Sequence, residues 1–218
     1  MNPAFPRLYA ILDSGLVSSG EPALAAMLAE AGVGVVQYRN KVASAGVVLE
    51  ISRSIANALK GRTVRFVVND RVDIAVLAGA GGVHVGQDDL SVSAAREMSR
   101  GDGNRSNSSK FWVGISTHTL DQVRAADLTD ADYIAFGPIF QTSTKAQPDL
   151  IVGTDLLKQA RELTRKPLVA IGGITRERAG EVFGAGADCI AVARDLVAAP
   201  DPAASATEFL RIAADYVQ

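Results

Sequence analysis

The chain is short of the residues from which many sites and anchors are built. It holds one cysteine, Cys189, in 218 residues, so it closes no internal disulfide and forms no cysteine metal cluster. Neither sign of charge is in excess. The 22 Lys and Arg stand against 24 Asp and Glu, for a formal net charge of −2. That balance argues against a general nucleic-acid binder and leaves any basic site local. No apolar run approaches the ~18 residues of a membrane span. The leading stretch Met1-Asn2-Pro3-Ala4-Phe5-Pro6-Arg7 lacks the long apolar core of a secretion signal. A cytoplasmic chain with no membrane or nucleic-acid partner is therefore expected. Extended disorder is excluded, because 48% of the residues are hydrophobic and the net charge is small. The length is too short for two full-sized domains. It suits one domain over residues 1–218, of the ~200–250 residues typical of an α/β barrel.

What is present is a regular alternation. Runs rich in Val, Ile and aromatic residues recur at Leu8 to Leu12, Val35 to Tyr38, Arg65 to Val68 and Val83 to Val85. They continue at Trp112 to Ile115, Tyr133 to Phe136, Leu168 to Ile171 and Cys189 to Val192. Near-continuous apolar runs of this kind are how strands buried on both faces read. Between them, apolar residues three and four apart predict helices over Pro22 to Ala31, Val47 to Leu59, Leu90 to Met98, Thr154 to Leu163 and Arg176 to Phe183. Such alternation implies a parallel sheet with right-handed crossovers. Eight units predict the α/β class and a single (βα)8 TIM barrel, with its site at the C-terminal ends of the strands. The rival is an open doubly wound sheet, which normally uses fewer strands. No Gly-x-Gly-x-x-Gly follows the first strand to support it. The polar, Gly/Ser-rich segment Ser99 to Ser109 falls between a helix and a strand, at the barrel face away from the site. It reads as a tolerated insertion.

Polar residues just past the strands are the candidates for chemistry. In Gln37-Tyr38-Arg39-Asn40-Lys41, alternation puts Gln37, Arg39 and Lys41 on one side. Two cations and an amide suit a phosphate or pyrophosphate, although a solvated strand end reads the same way. Asn69-Asp70-Arg71 and His84-Val85-Gly86-Gln87-Asp88-Asp89 end neighbouring strands. The carboxylates Asp70 and Asp89 with Asn69 nearby make an oxygen-rich site of the kind Mg²⁺ accepts beside substrate phosphates. Helix capping by either aspartate is the alternative. The loop Gly137 to Lys145 carries Thr142, Thr144 and Lys145, which can wrap an anion. Gly172-Gly173 precede a helix beginning near Thr175. There, backbone N–H groups and the helix dipole favour a phosphate.

These residues also carry a resemblance. The ordered set comprises Gln37-x-Arg39-x-Lys41, Asn69-Asp70-Arg71, Gly82-Val83-His84-Val85-Gly86-Gln87-x-Asp89 and Gly114-x-Ser116-x-His118-Thr119. It continues with Gly137-Pro138-x-Phe140-x-Thr142-x-Thr144-Lys145 and Ile171-Gly172-Gly173-Ile174. Together they resemble the thiamine phosphate synthases over about Tyr9 to Leu196. The chain departs from the family pattern at Tyr38, where leucine is usual, and at Asn40, where glutamate is usual. Ala193-Arg194 stands where an apolar residue and serine are common.

The resemblance implies a transferase of thiamine biosynthesis. It would join 4-amino-2-methyl-5-(diphosphooxymethyl)pyrimidine to 4-methyl-5-(2-phosphooxyethyl)thiazole, giving thiamine phosphate and pyrophosphate. The methylene of an electron-rich aminopyrimidine can lose pyrophosphate first, through a cation delocalised into the ring. On this reading Asp70 and Asp89 hold Mg²⁺, and Arg39, Lys41 and Lys145 add positive charge. Three cations and a divalent metal against two carboxylates leave a surplus to meet a pyrophosphate of roughly −3 to −4. Gln37 and Asn69 would bind the pyrimidine or its pyrophosphate, with Ser116 near the reacting centre. Thr142 and Thr144 would meet the thiazole, and Gly172, Gly173, Ala193 and Arg194 its phosphate. No general base is required, so His84 is read as packed or structural and His118 as orienting a loop. Cys189 is read as a small core residue. A thiazole tautomerase and a non-catalytic thiamine phosphate sensor are the alternatives, and assembly into a homo-oligomer is left open.

Overall fold

The strands of this chain close on themselves. The computed structural model describes residues 5–17, 20–100, 110–142 and 150–216. Its strands are β1 (Leu8–Asp13), β2 (Val35–Arg39), β3 (Arg65–Asn69), β4 (Gly82–Val85), β5 (Trp112–Thr117), β6 (Tyr133–Phe136), β7 (Leu168–Ile171) and β8 (Cys189–Val192). All pair in parallel in chain order, and β8 returns to β1 through Leu8 opposite Ile190. The expected barrel is observed, and the open sheet is excluded.

Alternation along each strand sorts side chains into two layers. Leu8, Ala10, Leu12, Val36, Val68, Val83, Ile134 and Ile190 face outward and are buried against the helices. Tyr9, Ile11, Val35, Val67, Tyr133, Ala135, Val169, Cys189 and Ala191 fill the interior. Both faces are apolar, which is why the strands read as runs rather than as alternation. Cys189 is a buried interior residue, as expected, and burial pushes its thiol well above the usual range. Nearer the C-terminal ends the interior turns polar, at Asp13, Gln37, Arg39, Asn69, His84 and Ser116. The opposite end is plugged by Phe5 stacked on Trp112 at 5.0 Å, with Arg65 over the Trp112 ring.

The helices are α1 (Glu21–Glu30), α2 (Ala45–Ala58), α3 (Val72–Leu77), α4 (Val92–Arg100), α5 (Leu120–Asp127), α6 (Gly153–Leu163), α7 (Arg176–Gly184), α8 (Arg194–Val197) and α9 (Pro202–Ala214). The sequence pattern located α1, α2, α4, α6 and α7 to within about two residues and missed the other four. At 6, 8 and 4 residues, α3, α5 and α8 are too short for a helical period to show. In α9, alanines on several faces blur the stripe formed by Ala206, Phe209 and Ala213. The polar segment begins inside α4, which extends to Arg100, and residues 101–109 of it lie outside the described residues. Among the described residues no helix is long and apolar enough to cross a membrane.

The rim away from the site is tied by carboxylates that also cap strand amides. Asp132 pairs with Arg96 and accepts the Val113 N–H at 2.7 Å. Asp188 pairs with Arg161 and accepts the Leu168 N–H at 2.7 Å. Removing such a half-buried partner strands a charge, so this rim serves stability.

Candidate active site at the C-terminal mouth of the barrel

The polar ends of the interior strands open into a cavity of about 530 Å³. Its floor is a hydrogen-bonded row of side chains from different strands. Gln37 Nε2 lies 2.7 Å from the Tyr9 hydroxyl, which lies 3.0 Å from the Tyr133 hydroxyl. The Tyr133 hydroxyl is 3.1 Å from His84 Nδ1, and His84 Nε2 is 2.8 Å from Ser116 Oγ. Burial pushes both phenols well above their usual range, so both are neutral hydroxyls. Gly114 makes this row possible. A Cβ there would lie 2.1 Å from the Tyr133 ring.

Along β2, alternation works as the sequence reading expects. Gln37 and Arg39 face the cavity, whereas Tyr38 lies in the outer layer and its hydroxyl accepts a hydrogen bond from Asn40 Nδ2 at 3.0 Å. Arg39 does not face the cavity as a bare charge, because it pairs with Asp13 at the end of β1. Asp13 escapes the sequence reading because it follows the apolar run Leu8 to Leu12 and yet belongs to β1. It reduces the positive surplus counted from sequence.

The predicted carboxylate pair does come together, at the rim beside Asn69. Lys41, with its side chain 54% exposed, pairs with Asp70 at 2.8 Å. The Asp70 and Asp89 carboxyls approach within hydrogen-bonding reach. Burial first, and then the Asp70 carboxyl, push the Asp89 carboxyl above its usual range, against the opposing pull of the Gly86 N–H. That N–H donates to Asp89 Oδ2 at 2.7 Å. The capping alternative fails: α3 is preceded by Arg71 at its cap, and α4 begins only at Val92, three residues past Asp89. Asp70 holds a left-handed backbone, φ 60°, unusual for a residue with a side chain.

Across the mouth, Gly172 and Gly173 adopt φ 99° and 64°. A Cβ at Gly172 would lie 2.5 Å from Pro138, and one at Gly173 would lie 2.4 Å from the Gln141 carbonyl. The glycines therefore let the loops after β6 and β7 pack on each other, which the sequence reading had not assigned to them. The helix α7 begins just after Thr175, as expected, with Thr175 at its N-cap position and no side-chain capping bond. Ala193 and Arg194 line the same end. The Asp195 carboxylate pairs with Arg176, at 3.1 Å. Arg178, 4.7 Å over the Phe140 ring, also lines this end. The sequence reading missed Arg176 and Arg178; their place in the first turn after the paired glycines was the available signal.

His118 accounts for its expected role, since its Nδ1 meets the Gly137 carbonyl at 2.6 Å and so ties the loops after β5 and β6 together. His84 is packed, as expected, but it also lines the cavity and holds Ser116, which the structural reading had not foreseen. Thr142 lies on the cavity wall. Thr144 and Lys145 lie outside the described residues.

Among the described residues no group of three or more His, Cys, Asp and Glu is placed to hold a metal ion. Two carboxylates are enough for Mg²⁺ when substrate phosphates supply further oxygens. Burial first, and the neighbouring Asp70 carboxyl after it, raise the Asp89 carboxyl, and a divalent cation would offset the Asp70 contribution.

Comparison with known proteins agrees with this geometry. A family model described as thiamine monophosphate synthase matches residues 8–196. A thiamine-phosphate synthase of Koribacter versatilis is 46% identical over 213 residues, covering 95% of each chain. One from Chloroflexus aurantiacus is 41% identical, over 93% of this chain and 90% of the other. Among solved structures, a thiamine phosphate pyrophosphorylase from Pyrococcus furiosus superposes with a TM-score of 0.84 at 28% identity, over 97% of both chains. A barrel that closes in chain order, a polar mouth with facing carboxylate and glycine poles, and matches along nearly the whole length lead to one assignment: the chain belongs to the thiamine monophosphate synthase family of transferases.

Proposed function

We propose that this chain joins 4-amino-2-methyl-5-(diphosphooxymethyl)pyrimidine to 4-methyl-5-(2-phosphooxyethyl)thiazole, releasing pyrophosphate, by a substitution in which the leaving group departs first. The observation that supports it is a cavity whose hydrogen-bonding floor lies between Gln37, Arg39 and Asn69 on one side and Gly172, Gly173 and Arg194 on the other, with Lys41, Asp70 and Asp89 at the rim outside its lining. Asp70 and Asp89 would hold Mg²⁺, which when bound neutralises pyrophosphate oxygens.

The protein's own work is then positioning and charge. Lys41, and Lys145 by the resemblance, lend positive charge to the departing group. Arg39 does so with its charge partly offset by Asp13. The C–O bond breaks with its electron pair going to pyrophosphate, and the thiazole nitrogen supplies the pair for the new C–N bond. No proton has to be removed. Gln37, Asn69 and Ser116 orient the pyrimidine on the floor, so that its methylene faces the thiazole. Gly172, Gly173 and the Ala193–Arg194 backbone hold the thiazole phosphate, with Thr142 and Thr144 on the thiazole side.

A tautomerase needs no carboxylate pair, and a sensor needs the binding poles alone. Incubating the purified chain with both substrates and Mg²⁺ separates the three. Stoichiometric pyrophosphate and thiamine phosphate are expected, with loss of both in EDTA and in Asp70→Ala. Full turnover in chelator would remove the metal from the mechanism, and no product from the intact chain would reject the synthase reading.

A further inference from the structure

The row Gln37–Tyr9–Tyr133–His84–Ser116 crosses the barrel from β2 through β1, β6 and β4 to β5. Four of its members line the cavity. Tyr133, at its centre and fully buried, does not. A residue that cannot touch a ligand, yet joins two that can, acts through its hydrogen bonds.

Each phenol has one proton to give, so the direction of one bond sets the direction of the next. The row can run two ways. In one, the Gln37 amide donates to Tyr9, Tyr9 to Tyr133, and Tyr133 to His84 Nδ1. His84 then carries its proton on Nε2 and donates to Ser116 Oγ, whose own proton is left to point into the cavity. In the other, every bond is reversed and Ser116 spends its proton on His84. The first is favoured at the centre, where Tyr133 meets both a phenol and an imidazole. The imidazole nitrogen is the better base, so the phenol proton goes to it. The placement of Gln37 Nε2 on the Tyr9 oxygen agrees.

The two ends then present opposite characters to a ligand. Ser116 offers a donor and Gln37 offers its carbonyl as an acceptor. An aminopyrimidine matches this pair, because its amino N–H donates and a ring nitrogen accepts. A 4-oxopyrimidine presents the reverse, a carbonyl that accepts and a ring N–H that donates. We propose that Tyr133 is a positioning residue that fixes the direction of this row, and that the row thereby selects a 4-aminopyrimidine over its 4-oxo counterpart. The inference rests on the reading that the cavity floor binds the pyrimidine.

Tyr133→Phe tests it, since the ring that packs against Phe5 and Trp112 is kept and only the hydroxyl is lost. The chain has two histidines, so ¹⁵N-histidine labelling gives two imidazoles, assigned with His118→Asn. The wild type should show His84 protonated at Nε2 and bare at Nδ1. Tyr133→Phe should show both tautomers, whereas Tyr9→Phe should keep the wild-type one, because Tyr133 still donates to Nδ1.

The second readout is the preference for the 4-amino diphosphate over the 4-oxo diphosphate, taken as the ratio of their binding constants. It should fall about tenfold in Tyr133→Phe, the effect of one misdirected hydrogen bond, and also fall in Tyr9→Phe, which frees the Gln37 amide. If Tyr133→Phe does not fold, the Tyr9→Phe pattern of unchanged tautomer and reduced preference decides. His84 protonated at Nδ1 in an active wild type would overturn the proposal alone. So would an unchanged preference in Tyr133→Phe with reduced turnover, which is the mark of a purely structural role. A wild type that binds neither pyrimidine would overturn the selectivity together with the functional reading beneath it.

Discussion

Replacing Gly114 by alanine adds one carbon at the most crowded point of the barrel interior. The new Cβ would lie 2.1 Å from Tyr133 Cζ and 2.4 Å from its hydroxyl oxygen, where ordinary contact begins at 3.4 Å. The ring must therefore retreat by about 1.3 Å. It has little room, since His84 stacks at 5.5 Å and Phe5 packs at 5.3 Å. Overpacking of this kind costs ~1–3 kcal/mol. The same shift stretches the Tyr133 hydrogen bonds to Tyr9 and His84, now 3.0 and 3.1 Å, beyond useful length. Two weakened buried bonds add ~1 kcal/mol each. The sum is about 3–5 kcal/mol, and at ~2–4 °C per kcal/mol for a chain of this size Tm falls by roughly 6–20 °C. Calorimetry and urea titration measure it. The source of the loss is checked by repeating Gly114→Ala in a Tyr133→Leu background, where the smaller side chain relieves the clash and the two losses should be far from additive. A Tm change under ~2 °C for Gly114→Ala, or strict additivity with Tyr133→Leu, would refute the packing argument.

Three further outcomes are expected. Asp89→Asn keeps an acceptor for the Gly86 N–H but removes one of two crowded carboxylates. Because the Asp89 carboxyl is raised, its protonated form suits the metal-free fold, so that contribution to stability is present below the ordinary carboxylate range and lost as pH rises through the raised value. The metal-free variant should accordingly melt ~1–2 °C above the parent at neutral pH. Mg²⁺ should stabilise the parent alone, and more strongly as pH rises; a variant that melts lower would refute the crowding. Arg194→Ala should raise the thiazole-phosphate KM about tenfold, or ~1.4 kcal/mol, and leave the pyrimidine KM unchanged; that is just below the ~1.5–3 kcal/mol of a charged hydrogen bond, as solvent screening at the rim requires. Unchanged thiazole-phosphate affinity in both Arg194→Ala and Arg194→Ser would show that the backbone suffices. Lys145→Ala should lower kcat by on the order of 10²-fold with little change in KM, as expected for a group acting on the departing charge; a change confined to KM would assign it to binding.

The local rules of the chain were legible in advance. Period-two alternation correctly sent Gln37 and Arg39 to the cavity and Tyr38 to the outer layer, because it depends only on the pleat of one strand. The βα alternation identified the barrel, and α1, α2, α4, α6 and α7 showed their period. Helices such as α3 and α8 did not, being shorter than the pattern needed to reveal them. What no local rule contained is which side chains meet across the interior. Tyr133 reads as one more aromatic in a buried run, and Gly114 as a spacer before Ser116. Only the register that sets Gly114 opposite Tyr133 shows that one makes room for the other. Asp13 meets Arg39 for the same reason. Local pattern along the chain places the strands, their faces and the rim on which polar residues gather. The tertiary structure decided the partners, because closing eight strands into a ring brings together residues far apart in the chain, at a stagger set by all the strands at once.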